Sequence, residues 1–183
     1  MLFLQDHGVS TSFAAKIYKQ YGNESVNKVR ENPFRLADDI WGIGFKTADG
    51  IAQKLGFGKE AFVRLRSGIM YTLSNLADQG HVYATKEQLI KTAAELLEAE
   101  EGCVVMTLDQ MLADHDLILQ KVEIPKEQRK HEMPADLEQP EWKLAEPQIT
   151  EAIYLPPFYY AETGVAGKLK RLVAACLLYT SDA

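Results

Sequence analysis

The sequence predicts a mainly α protein in which two short helical hairpins precede an α+β unit with a short β-ribbon. Three observations predict it. Helical periodicity dominates the first hundred residues. A glycine-containing pattern around Gly42 recurs in weaker form 34 residues upstream. Two stretches that read as strands, "LILQKVEI" and "TEAIYLPP", flank a Pro-, Glu- and Gln-rich segment. The chain has 183 residues, 46% of them hydrophobic, enough for one packed domain or two small ones.

The elements follow in order. Ser10, Thr11 or Ser12 caps a helix through "FAAKIYKQY", with Phe13, Ile17 and Tyr21 on one face and Gly22 as its stop. Asn23 is placed to cap "ESVNKVREN", and Pro33 ends that helix or starts the next turn. "PFRLADDI" reads as a short helix, and "KTADGIAQKL" as another closed by Gly56. A longer helix is expected from about Glu60 to Asp78, its apolar face made by Leu65, Ile69, Leu73 and Leu76, with Gly80 after it. "HVYAT" reads as a short strand. Thr85 caps the amphipathic helix "KEQLIKTAAELLEA", "LDQMLADHD" is a further helix, and "LILQKVEI" a strand. Residues 125–148 lack apolar periodicity and read as an exposed insertion. "TEAIYLPP" returns as a strand and "FYYAETGVAGKLKRLVAA" resumes a helix. This order makes residues 60–156 a winged-helix-like unit. Residues 157–175 form a linker helix.

The last eight residues, "CLLYTSDA", are what the codons TGT CTC TTA TAC ACA TCT GAC GC specify. That run resembles a transposase sequencing adapter, so residues 176–183 are expected to be read-through. Met1 opens partway into what reads as the first helix of a hairpin.

Charge is uneven. The whole chain carries −6, but residues 1–59 hold eight Lys/Arg (Lys16, Lys19, Lys28, Arg30, Arg35, Lys46, Lys54, Lys59) against six Asp/Glu. Residues 60–125 hold five against eleven. A basic patch on the first part can meet phosphates while the rest stays acidic. No apolar run approaches the ~20 residues of a membrane span, and no signal-peptide pattern opens the chain. A cytoplasmic protein is expected, with no membrane partner. Cys103 and Cys176 form no CxxC, and His7, His81, His115 and His131 have no ligand spacing, so no metal is assigned. Cys103 is expected to be buried.

The stretch "IWGIGFKTADGIA" carries the chemistry. Two glycines at i and i+2 ahead of a helix present successive backbone N–H groups, which join the positive end of the helix macrodipole in an anion site. Lys46 adds a charge, Thr47 a hydroxyl, and Ala48 lets the neighbouring helix come close. A dinucleotide fingerprint would need a third Gly at Thr47, and a GxxxxGK[ST] phosphate loop occurs nowhere in the chain. What fits is apolar-x-Gly-apolar-Gly-x-x-x-Ala-x-x-apolar-Ala, filled by Ile40, Gly42, Ile43, Gly44, Ala48, Ile51 and Ala52. This resembles the helix-hairpin-helix motif, which grips the DNA backbone without reading bases. The upstream copy aligns Gly8, Val9, Ser10, Ala14 and Ile17 with Gly42, Ile43, Gly44, Ala48 and Ile51. Residues 1–59 are thus expected to be a tandem helix-hairpin-helix unit. Its candidate phosphate-binding residues are Gly42, Ile43, Gly44, Phe45, Lys46 and Thr47, with Gly8, Val9, Ser10 and Thr11 in the weaker copy.

The resemblance extends further. "NPFRLADDIWGIGFKTAD", "GHVYAT" and "AIYLPPFYYAETGVAGKLKRL" are similar to the N-terminal region of bacterial RecD-like ATP-dependent DNA helicases, over roughly residues 2–124 and 149–175. It implies a 5′-to-3′ helicase serving DNA repair or recombination, whose motor, binding ATP and Mg, lies C-terminal to this region. No cofactor is expected in this fragment, and its partners would be DNA and the motor in cis. Residues 126–148 depart from the pattern, which puts the wing geometry in doubt.

Other residues have milder expected roles. Trp41 and Phe45 can stack on bases, but anchoring the hairpin in the core is the expected role. Asp38 and Asp39 read as helix charges rather than a catalytic pair. Arg64 and Arg66 extend the basic face or pair with surface acids. Lys168, Lys170 and Arg171 lie on the linker helix. Two alternatives stand beside a DNA-binding accessory region. One is a stand-alone docking module of a repair complex. The other is a helix-hairpin-helix glycosylase, disfavoured because Asp49 falls too early for its catalytic acid. No catalytic residue is assigned.

Overall fold

Ser10 opens the first helix by accepting the Phe13 amide on its hydroxyl, which satisfies one of the orphan donors every helix start carries. The computed structural model describes Leu4, residues 9–124 and residues 148–180. Helix α1 (Thr11–Tyr21) ends at Gly22, which takes φ 57°. A 3₁₀ turn (Gly22–Glu24) leads into α2 (Ser25–Glu31), then α3 (Arg35–Asp39) and α4 (Phe45–Lys54). The expected Asn23 cap is not formed. Its side chain accepts the Tyr18 hydroxyl instead, and the buried Ser25 hydroxyl donates to the Gly22 carbonyl, so the chain makes a tight turn before α2.

The second part begins with α5 (Phe62–Asp78). Leu65, Ile69, Leu73 and Leu76 are buried as the periodicity requires. Arg64, Gly68 and Thr72 form a second buried stripe beside them. Strand β1 is shorter than expected, Ala84–Thr85 alone. Helix α6 (Lys86–Leu97) is capped by Thr85, as expected, through the Gln88 amide. Helix α7 (Glu101–Ala113) starts seven residues earlier than the stretch read as helical. Its first two turns, "EGCVVMT", hold a Gly and two β-branched valines that weaken the helix signal; packing of Val104, Thr107 and Leu108 overrides it. Strands β2 (Ile118–Ile124) and β3 (Gln148–Tyr154) pair antiparallel along their full length, and β1 adds to the other edge of β3, giving the order β1-β3-β2. Three helices, a short first strand and a two-stranded ribbon make this a winged-helix-like unit. The expected insertion lies outside the described residues, save Gln148, the first residue of β3. Helix α8 (Pro156–Thr180) follows. No described helix is long and apolar enough to cross a membrane.

Two apolar clusters hold these parts. One lies within the hairpins: Val9, Ala14, Ile17, Val29, Leu36, Ile40, Ile43 and Ile51, with Leu4. The other is shared: Phe34, Phe45, Ala48 and Ala52 of the second hairpin pack with α5, α6 and α7. Phe45 stacks between Phe34 and Tyr71, with ring centroids 5.8 and 5.1 Å away.

A buried polar joint crosses the same boundary. Arg64, only 4% exposed, forks onto both Asp49 carboxylate oxygens at 2.7 and 2.9 Å. Its remaining nitrogen donates to the Lys59 and Leu97 carbonyls at 2.8 and 2.9 Å. Among the described residues no buried side-chain nitrogen or oxygen lacks a partner. Beside it, a Cβ on Gly68 would meet the Leu97 side chain at 2.5–2.9 Å, so α5 and α6 approach as only glycine permits.

Asp49→Ala should destabilise the chain by about 3–5 kcal/mol, because it strands a buried guanidinium. Gly68→Ala should cost about 1–3 kcal/mol through overpacking against Leu97. Urea unfolding of the full chain reads both.

Candidate nucleic-acid interface

The turn between α3 and α4 is built from its apolar residues outward. Ile40 and Ile43 are buried, and the Ile43 amide donates to the Ile40 carbonyl at 3.1 Å. Between them Gly42 takes φ 91°, a conformation a side chain rarely adopts. Gly44 is extended and caps α4 with its carbonyl, which accepts the Thr47 and Ala48 amides at 3.0 and 3.1 Å. The amides of Phe45 and Lys46 open the helix without an intrahelical acceptor, at the positive end of its dipole. A Cβ at Gly44 would meet nothing within 4 Å, so the surface before α4 is open.

The upstream copy repeats the burial of three motif positions, while exposed Thr11 and Tyr18 stand where Phe45 and Ala52 are buried. Val9, Ala14 and Ile17 are buried as Ile43, Ala48 and Ile51 are. Ser10 caps α1 in the extended conformation that Gly44 has at α4. The copies differ at the donor. The Ser10 hydroxyl takes the Phe13 amide at 3.3 Å and meets the Ser12 hydroxyl at 3.0 Å, so part of this helix start is satisfied internally. Thr11 is exposed. Gly8 lies outside the described residues.

The two copies meet. Val9, Ser10 and Phe13 face Lys46, Thr47 and Lys54 across a groove of about 200 Å³. Lys46 and Lys54 are exposed and Thr47 half-buried. Val9, Ile43 and Phe45 are buried supports, so what they can offer a ligand is backbone.

One cation joins the hairpins from a place the motif does not mark. Lys16 of α1 donates to the Trp41 carbonyl at 3.3 Å. Its ammonium lies 5.9 Å from the centre of the Trp41 ring and 5.8 Å from that of Phe13. It also sits 3.2 Å from where a Gly42 Cβ would be. The 25-residue separation gives no local signal; only its place in the basic half pointed to it.

Trp41 corrects an expectation. It is 94% exposed, not a core anchor. Ile40 and Ile43 already fill the space beneath the turn, and Trp41 occupies the unspecified position between Ile40 and Gly42, facing out. Phe45 does anchor the hairpin. Of the two arginines, Arg66 pairs with a surface acid as its alternative had it, and Arg64 differs by being buried. Arg64 is buried in the joint described above, and Arg66 is tied to Asp116 at 2.9 Å, so neither widens the basic face.

The paired acids serve the scaffold. Asp39 accepts the Tyr21 hydroxyl at 2.6 Å and lies 3.9 Å from Arg35, linking the two hairpins. Burial and then that bond push the Tyr21 hydroxyl far above its ordinary range. Asp38 borders a cleft of about 450 Å³ beside Gly44, Phe45, Arg66 and Tyr71. Burial and then the Asp39 charge raise its pKa, against the pull of Arg66 and Arg35. Cys103 is half-buried rather than fully buried. Glu60, Glu100 and Cys103 form a trio with donor atoms within 4.8 Å, but both acids are exposed surface groups.

Two turns of one pattern, side by side, with an open helix start at α4 and flanking lysines, are the features of a helix-hairpin-helix region of the DNA-binding kind. The family described as the ATP-dependent RecD2 DNA helicase HHH domain matches residues 1–83. Residues 1–83 are thus similar to the helix-hairpin-helix domain of RecD2-type helicases, which supports a DNA-binding region in this part of the chain. The matched span runs through α5 to Tyr83, taking in the helix that Arg64 fastens to α4.

Gly42→Ala should cost about 1–3 kcal/mol, since alanine is strained at φ 91°. Gly44→Ala, with ordinary φ and open space, should cost under ~1 kcal/mol. Thermal unfolding of the two variants side by side checks the contrast.

Proposed function

We propose that residues 1–59 hold the sugar–phosphate backbone of DNA without reading bases. The proposed phosphate contacts are the amides around Gly42 to Thr47, the Lys46 ammonium and, more weakly, Val9 to Thr11. The observation that carries this is the start of α4, where Gly44 leaves the first amides open beside an exposed lysine. A phosphate there gains the helix dipole, two N–H donors and a cation together.

The wider setting follows the resemblance. The chain serves a 5′-to-3′ helicase in DNA repair or recombination, and ATP and Mg belong to its motor, toward which α8 leads. The winged-helix-like unit docks on the motor or a repair partner rather than on DNA. Helix α7 stands where winged-helix DNA binders place a reading helix, yet "EGCVVMTLDQMLA" has no Lys or Arg and exposes Glu101 and Asp109. The glycosylase alternative loses support, because Asp49 is committed to Arg64 and cannot serve a base pocket.

The test is DNA-binding anisotropy of the full chain across a salt series. Affinity should fall log-linearly with salt and be indifferent to sequence. Lys46→Glu should weaken binding and flatten the salt slope by about one unit, the loss of one phosphate contact. The new acid sits in the first turn of α4, where it favours the helix, so lost folding cannot imitate the effect. Gly44→Val should weaken binding by blocking close approach. Binding that ignores salt and both substitutions would sink the reading.

A further inference from the structure

The second hairpin holds one large side chain that neither the core nor the backbone grip uses. Trp41 is 94% exposed on the turn that carries Gly42 and Gly44. A tryptophan presented this way is not a by-product of loose packing. Its carbonyl is held by Lys16, its neighbours Ile40 and Ile43 are buried, and Gly42 fixes the turn behind it. The indole therefore stands on a rigid base, flanked by an ammonium 5.9 Å from its ring centre. An aromatic face beside a cation is the combination that holds unpaired nucleotides: the ring stacks on a base and the cation meets the adjoining phosphate. Inside a duplex every base face is stacked on its neighbours, so away from duplex ends such a ring contributes only where strands have separated.

We propose that Trp41 and Lys16 form a contact for an unpaired nucleotide next to the backbone site of the second hairpin. The hairpin then prefers a junction, where duplex backbone meets α4 and the first unpaired base stacks on Trp41. This rests on the backbone-binding reading above and adds to it a substrate preference.

The test uses the full chain with Trp142→Phe, so that Trp41 is its single indole. The probes are a blunt duplex and the same duplex with a single-stranded oligothymidine tail. Trp41 emission should be quenched by the tailed DNA and hardly by the blunt one. Trp41→Ala, made in the parent chain, should lose about tenfold in affinity for tailed DNA, the scale of one base–aromatic stack. It should lose less than twofold for blunt duplex, and Trp41→Phe should keep most of the tailed affinity. Equal loss on both DNAs, or no loss on either, overturns the stacking contact. If Lys46→Glu still weakens both, the backbone reading survives that result. Absence of salt-dependent binding to either DNA by the parent chain overturns both.

Discussion

Arg64 is the constraint on which the arrangement of the two halves depends. Its guanidinium sits among an acid from α4, a carbonyl from the segment before α5 and a carbonyl from the last turn of α6. Three pieces of chain, at Asp49, Lys59 and Leu97, are brought to one planar group. Lysine could not replace it, having neither the fork for Asp49 nor a fixed direction for the two carbonyls. A charge this buried persists only when fully partnered. The joint is therefore satisfied as a whole, and it fixes how α4 lies on α5. The Phe34–Phe45–Tyr71 stack adds shape to the same boundary, and Gly68 lets α6 close on α5 behind it. The start of α4 is thus held from behind by the winged-helix-like unit, which can orient the hairpin without touching DNA.

Within the hairpins, a repeated pattern has been put to unequal use. Burial repeats at an offset of 34 residues, so both turns stand on equivalent apolar supports. The copies differ in one atom group at the cap, and in exposed Thr11 standing where Phe45 is buried. Ser10 has a hydroxyl and spends it on its own helix start; Gly44 has none and leaves its helix start open. Serine is the better cap for stability and glycine the better one for a ligand's approach. The two positions divide those roles, and Lys16 and the Tyr21–Asp39 bond keep the copies in register.

Much of this was legible in the sequence because it rests on short-range pattern. Helix α5 could be read from four leucines and isoleucines at helical spacing, and Thr85 from its place ahead of an amphipathic run. The hairpin could be read from Gly42 and Gly44: the turn needs glycine at the first, for φ 91°, and at the second glycine leaves the helix start open. Other features depend on partners remote in sequence. Arg64 looked like a surface cation because Asp49 and Leu97 lie 15 and 33 residues away. Lys16 looked like one basic residue among eight. Trp41 is hidden for a different reason: the bulk of an indole suggests burial where the pattern does not. The motif leaves its position unspecified between two apolar sites, and an unspecified position on a turn whose neighbours are buried points outward.

The charge distribution joins these observations. An average of −6 speaks against a DNA-binding protein, yet the field a phosphate meets is local. The cations that count are Lys46 and Lys54 at the groove and Lys16 at the turn, all on the first four helices. Two cations that would have spread this patch, Arg64 and Arg66, are neutralised by Asp49 and Asp116. The acids of α6 and α7 surround the other half. A polyanion approaching such a molecule is repelled from the winged-helix-like side and drawn to the hairpins. On the proposed reading that field would turn the hairpins, with the groove and the open start of α4, toward the DNA backbone before contact forms.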